Sequence, residues 1–388
     1  MTHKKTSDLQ TTSAITANNN YTLVNQVGVT KKVSLTGLSQ SLNPRTYFGV
    51  VLFDRYLDPN TWKSYWTAYT VADSQGNVYL NIGTDFETIV KYDAKGNQVW
   101  AKNLAYSDLY TYNRGPMCID NNDNLIIAYR TMAANEDLMI SVLKFAPTGV
   151  LEWERQISYT DWYLKPYSVA VTPSNDVVIA SIAHDALGKY FVTITKYDLT
   201  GTLQWQTKIE HATNNFDSPN IDVDSLGNII TVGSMLNGAT FVGHFITKVS
   251  SAGAIVWTTS LDAMQDNITE KVLVKVNSNN DIIIARIVPY ANSQGMALLK
   301  YNSAGVLQWQ KNFASSDTFA TIEYAAIDLD DQGNIYGAGR TTSGTSLLVK
   351  HSPTGSIVWS KSLSLGWHEI TSINIVGSTI VLGLLNGD

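Results

Sequence analysis

Four stretches of this 388-residue chain gather aromatic and acidic side chains at short spacing. AYSDLYTYNRG (105–115) carries Tyr106, Asp108, Tyr110 and Tyr112, and SYTDWYLKPYS (158–168) carries Tyr159, Asp161, Trp162, Tyr163 and Tyr167. ASSDTFATIEY (314–324) adds Asp317, and SLGWHEIT (364–371) adds Trp367 and His368. A flat ring covers the apolar C–H face of a pyranose, while a carboxylate or amide pairs with its hydroxyls, so this mixture suits sugar recognition. Asp108, Asp161, Asp266 and Asp317 recur at a similar register, four to five residues past the last aliphatic or aromatic residue of the preceding run. The candidate ligand-binding set is Tyr106, Asp108, Tyr110, Tyr159, Asp161, Trp162, Tyr163, Asp317 and Trp367. Trp162 leads it because it stands outside the tryptophan repeat described below. The competing reading is that the rings pack loop against loop and the aspartates cap turns.

Catalytic chemistry finds little here. The sialidase box Ser-x-Asp-x-Gly-x-x-Trp is absent, as is a Gly-x-Ser-x-Gly nucleophile elbow. The six histidines, His3, His184, His211, His244, His351 and His368, lack the spacing of a zinc site. Turns such as DSQGNV lack the further acidic ligands of a calcium loop. A carboxylate pair for glycoside cleavage could come from Glu323 with Asp161 or Asp317, but spacing alone does not bring them together. The expectation is a non-enzymatic protein with no cofactor and no metal.

Such residues need elements to hold them, and composition names the kind. Charged residues make up only 15% of the chain, so Asn, Ser, Thr, Gly and Tyr serve the surface, as in a turn-rich all-β protein. A net charge of −6 gives no cationic face for nucleic acid. The single cysteine, Cys118, excludes an internal disulfide. No apolar run approaches the ~18 residues of a membrane span, and the first twenty residues lack a signal-type apolar core, so a soluble protein is expected.

The positioning elements are repeats. KYDAKGNQVW (91–100), KFAPTGVLEW (144–153), KYDLTGTLQW (196–205), KVSSAGAIVW (248–257), KYNSAGVLQW (300–309) and KHSPTGSIVW (350–359) each open on Lys and close on Trp. Trp100, Trp153, Trp205, Trp257, Trp309 and Trp359 stand 53, 52, 52, 52 and 50 residues apart, each four residues after a glycine. Each decapeptide reads as a hairpin whose glycine supplies a positive φ. Upstream of each lies a second turn followed by a β-branched run, as in DSQGNVYL (73–80) and DSLGNIIT (224–231). One period is therefore four short strands, the signature of a β-propeller blade. In that setting the tryptophans are expected as core, wedged between blades, each burying ~150–250 Å².

The expected architecture is an all-β, seven-bladed propeller over residues 45–388, following an N-terminal segment, 1–44. Six blades of about 50 residues are complete in the sequence. The seventh is expected as a composite: TSINIVGSTIVLGLL (371–385) supplies one hairpin, and TYFGVVLFDRYLDPNTW (46–62), with Asp54 and Trp62, supplies the other. Closure leaves no open sheet edge. The decapeptide also resembles the tryptophan-docking segment of quinoprotein-type propellers. Its spacing is one residue shorter and Asp occurs only at Asp93 and Asp198, so the resemblance implies the architecture and no quinone site.

The first forty residues differ in kind. They are Thr/Ser/Asn-rich, then give an alternating run YTLVNQ, a turn at Gly28 and a second run KKVSLTGL. A lone hairpin buries too little to be stable by itself, so a partner or an oligomer is expected to order it. With Ser7 and Leu9 ahead of it, the series Leu23, Val24, Gly28, Thr30, Lys31, Lys32, Leu35 and Leu38 resembles the short anchor of bacteriophage tail-fibre, tailspike and other virion appendage proteins. The acidic residue usual before Leu-Val is replaced by Asn20-Tyr21. The resemblance implies a β-hairpin anchor that docks to tail or capsid proteins, a propeller facing outward from the virion, and a homo-oligomer, with a trimer favoured. The implied role is attachment to a host-surface glycan or protein, without nucleic acid or membrane insertion. The alternative is a purely structural nozzle, head fibre or decoration.

Overall fold

The computed structural model describes residues 47–52, 68–83, 87–104, 115–132, 138–158, 164–238, 240–262, 272–290, 293–313, 322–341, 346–363 and 368–386. All of its regular structure is β. Six four-stranded antiparallel sheets follow one another along the chain, each pairing its strands in sequence order. They run Ala68–Asn103, Met117–Ser158, Leu164–Ile209, Asn215–Asp262, Val272–Phe313 and Ile322–Leu363, here blades one to six. The fold is a β-propeller. Its middle strands, such as Val177–His184, are buried along almost their whole length because a neighbouring blade covers each face. The outermost strands, such as Leu203–Ile209, are largely exposed.

Among the described residues the four-stranded blades number six, not the expected seven. A three-stranded sheet stands where the composite blade was expected. It contains the hairpin His368–Val376 and Thr379–Asn386 and a single N-terminal strand, Tyr47–Leu52, which pairs parallel to Thr379–Asn386. Tyr47–Leu52 thus joins the sheet parallel where antiparallel pairing was expected, and the rest of the expected N-terminal half, with Asp54 and Trp62, lies outside the described residues. This sheet closes the ring. Ile373 and Leu382 pack against Ala338 and Leu348 of blade six, and Val381 packs against Leu80 and Val90 of blade one. Across the same seams Ile375 N donates to Asp328 Oδ2 at 2.7 Å, and Asn374 Nδ2 donates to the Thr70 carbonyl at 3.1 Å. The segment 1–44, with the proposed anchor residues, lies outside the described residues.

The decapeptide is the hairpin of strands three and four in every blade, and in blades one and three both of its end residues donate across to the next blade. Trp100 Nε1 and Lys91 Nζ donate to the same carbonyl, that of Pro147, at 3.1 and 3.0 Å. Trp205 and Lys196 do the same at Ser251, at 3.0 and 3.3 Å. Trp153 Nε1 donates to the Leu199 carbonyl at 3.1 Å, whereas Trp257 Nε1 is buried without a partner. The tryptophans are not core in the expected sense. Trp153 is buried, but the other five are only half-buried, because the outermost strand has solvent on one side. They act as clamps between blades.

The ring lies flat on the glycine of the next hairpin. Gly253 has φ +90, and a Cβ there would meet Trp205 Cδ2 at 2.8 Å. Gly188 also has positive φ (+76), but open space surrounds it. Gly188→Ala is therefore expected to cost about 1–2 kcal/mol of left-handed strain alone. Gly253→Ala adds displacement of the docked ring, and about 2–4 kcal/mol is expected by urea unfolding. Equal losses in the two variants would mean that the glycine contact does not matter.

Each repeat Lys also pairs within its own blade. Lys91–Asp73 (3.4 Å), Lys144–Asp120 (2.9 Å), Lys248–Asp224 (2.9 Å) and Lys350–Asp330 (3.1 Å) use the first residue of the upstream turn. In blades three and five that position is Thr172 or Asn277, and the carboxylate sits four residues later: Lys196–Asp176 (2.8 Å) and Lys300–Asp281 (2.7 Å). One carboxylate per turn suffices, since Asn or Thr can still accept the turn's backbone N–H groups.

Candidate functional site

The first strand of every blade and of the closing sheet faces the ring axis, where they enclose a cavity of about 720 Å³. Four of these strands are interrupted where they line it. The pairing skips at Tyr167, at Ser218-Pro219, at Ala325 and at Thr371. A bulge adds a residue to one strand and re-aims its neighbours, and here every bulged residue lines the cavity. Small residues stand opposite, including Gly233 and Gly383, whose missing Cβ would meet the Asp217 carbonyl at 2.8 Å or the Thr70 and Ser372 hydroxyls.

The bulges present polar groups. Ser168 Oγ accepts from Ile221 N at 3.2 Å, which leaves its hydroxyl proton to donate elsewhere. Asn220 Oδ1 accepts from Val274 N at 3.0 Å, which leaves its Nδ2 as a donor. Thr70 and Ser372 share a hydroxyl–hydroxyl bond across the closing seam. Tyr167 donates its hydroxyl to Asp217 Oδ1 at 2.8 Å, fixing the ring at the wall. Tyr69 is 39% exposed on the blade one side.

Among the described lining residues Lys275 is the one charged side chain. It is 37% exposed, in contact with the channel, and pairs with Asp328 Oδ1 at 3.0 Å. The Asp328 carboxylate foremost, with Asp222 beside it, holds the lysine's pKa above its ordinary value against the effect of burial. Asp222 is shifted upward by burial, which Lys275 opposes, and its Oδ2 accepts from Val276 N at 2.6 Å. Burial likewise pushes the nearby Cys118 thiol up, with Asp120 adding to the shift, so the thiol stays protonated and poorly nucleophilic. Among the described residues no group of three or more His, Cys, Asp or Glu could hold a metal ion.

None of the nine ligand-binding residues expected from the sequence falls within the described residues: Tyr106, Asp108, Tyr110, Tyr159, Asp161, Trp162, Tyr163, Asp317 and Trp367 all lie outside them. Their segments join the outer strand of one blade, or of blade six, to the axial strand that follows. Glu323 belongs to the strand Ile322–Leu329, while its suggested partners Asp161 and Asp317 are among those nine. Sequence reasoning passed over Asp222, Lys275 and Asp328. A signal was present: two residues before the first turn residue, blades one to three carry Val71, Cys118 and Ala170, whereas blades four to six carry Asp222, Lys275 and Asp328.

No protein-family profile and no curated protein sequence matches the chain. Solved structures do match by shape. A polysaccharide lyase, an ulvan lyase bound to -[GlcA(1-4)Rha3S]-, aligns with a TM-score of 0.51 at 10% identity over 76% of this chain and 84% of that one. The polysaccharide lyase Uly1 aligns with a TM-score of 0.50 at 11% identity over 83% of this chain and 90% of that one. At such identities the likeness is one of fold, and by it this chain is a β-propeller of the same general architecture as those two proteins.

Proposed function

We propose that this chain is a bacteriophage virion appendage protein whose propeller recognises a host-surface glycan without cleaving it, and whose segment 1–44 docks to the particle. The axial cavity carries the recognition half of this reading: the axial strands, four of them bulged, place hydroxyls, amides and two tyrosines around a space of about 720 Å³. Saccharides are bound by such neutral donors and acceptors beside aromatic rings. The virion half rests on the likeness of Leu23, Val24, Gly28, Thr30, Lys31, Lys32, Leu35 and Leu38 to the appendage anchor. Tyr110, Trp162 and Tyr163 precede axial strands in the sequence, which makes them the candidates to test.

The test is adsorption. Particles carrying Tyr110→Ala, Trp162→Ala and Tyr163→Ala together are expected to lose at least tenfold in adsorption to host cells, with melting temperature unchanged. Unaltered adsorption would refute the receptor role. Release of reducing ends from host polysaccharide would instead make the ring an enzyme.

A second reading, a structural spacer, draws on the outer rim. Val99, Val256 and Val358, each more than half exposed, directly precede the repeat Trp of blades one, four and six, and the equally exposed Val150 and Val306 stand three residues before it in blades two and five. Recurrent apolar positions of this kind suit contact with neighbouring subunits. Incorporation into particles together with silence on a glycan array would favour it.

A further inference from the structure

Taking the axial cavity as the recognition site proposed above, we infer that it selects neutral or amino-bearing saccharides and rejects acidic ones. Carboxylate and sulfate groups are bound by unpaired cations, best by the planar fork of arginine. Among the described residues no arginine lines the cavity. Its one cation, Lys275, is engaged at 3.0 Å by Asp328, and Asp222 acts on it from the other neighbouring blade. Two carboxylates against one ammonium leave this end of the channel with a net charge of about −1, and low-dielectric walls focus that field along the axis.

The carboxylates are also fixed. Asp222 accepts from Val276 N and Asp328 from Ile375 N, so each ties its own blade to the next sheet and cannot swing aside for an arriving anion. An acidic sugar would have to displace Asp328 from Lys275 and approach against the charge of the two carboxylates set behind the lining. A neutral sugar meets Ser168, Asn220 and Thr70 at no such cost. An amino sugar gains from Asp222.

A glycan array with neutral, amino and uronate- or sulfate-bearing oligosaccharides, followed by titration calorimetry, tests this. The wild type is expected to favour neutral or amino glycans over acidic ones by at least tenfold. Asp222→Asn keeps an acceptor for Val276 N and is expected to narrow that ratio several-fold. Should the variant unfold, wild-type salt dependence answers the same question: acidic-glycan binding is expected to strengthen as salt screens the carboxylates, and weakening with salt would overturn the inference. Preference for acidic glycans overturns the inference and leaves the glycan reading standing. A ratio unchanged in a folded Asp222→Asn also overturns it. Absence of binding to any glycan removes both.

Discussion

Lowering the pH from 7 to 4.5 is expected to remove about 5 kcal/mol of folding stability, chiefly through His244 and His351. His244 is 3% exposed, and neither of its ring nitrogens has a hydrogen-bond partner. Burial, aided by the charge of Arg286, pushes its pKa down to about 3. His351 is fully buried beside Phe313, with ring centroids 4.9 Å apart, and burial pushes it down to about 4. In the unfolded chain both would titrate near 6.5. Below that pH the unfolded chain takes up protons that the folded ring refuses. The contribution is complete above pH 6.5 and falls by about 1.4 kcal/mol per unit per histidine until each folded value is reached. Asp222, shifted upward, works in the opposite sense and offsets part of the loss.

The repeat supplies the replacement. The position of His351 holds Tyr92, Phe145, Tyr197 and Tyr301 in blades one, two, three and five. His351→Phe with His244→Leu is expected to move the acid-unfolding midpoint down by about one pH unit while altering stability little at pH 7. Urea unfolding at half-unit pH steps measures it. If stability of the double variant declines as steeply between pH 6.5 and 4.5 as that of the wild type, these histidines are not the cause.

The second large effect concerns the ion pair of blade two. Asp120→Ala is expected to cost about 3 kcal/mol, because the buried Lys144 would keep only the 38% exposed Glu152 carboxylate, at 3.6 Å, to offset its charge. The two side chains are 0% and 3% exposed and meet at 2.9 Å. Burial works to raise the Asp120 pKa, but hydrogen bonds from Lys144 and Asn124 outweigh it and hold the carboxyl below the usual range. Asp120 also accepts the backbone N–H groups of Asn122 and Asn124. Asp120→Asn with Lys144→Met keeps that turn and removes both charges, so its loss should fall to about 1–2 kcal/mol. The exposed pair Lys208–Glu210 is as close, at 2.8 Å with 42% and 51% exposure, and Glu210→Gln, which leaves Lys208 over the Phe191 ring, should show no measurable change. A blade-two loss as small as the surface one would show that the pair does not stabilise the blade.

The decapeptide was legible as a hairpin because its cause is local: a glycine at positive φ between two short strands. Its end residues were legible as important, but their partners were not. Pro147 and Ser251 lie 56 and 55 residues from Lys91 and Lys196, so only the stacking of blades brings those carbonyls within reach. Partial exposure of the tryptophans follows from the same stacking, which covers one side of an outer strand and leaves the other in water. The composite blade was half legible. Its C-terminal hairpin follows from the pattern of residues 371–385, but parallel pairing of Tyr47–Leu52 is long-range.

What the sequence determined by itself is the repeating unit: four strands, two glycine- or asparagine-dependent turns and a Lys-to-Trp hairpin, since turn chemistry and alternation act over a few residues. What only the tertiary structure decided is the number of blades, the three-stranded closing sheet and the identity of the axial groups. Asp222, Lys275 and Asp328 are 53 residues apart along the chain and become one charge cluster only because ring closure turns the same position of successive blades toward a single axis.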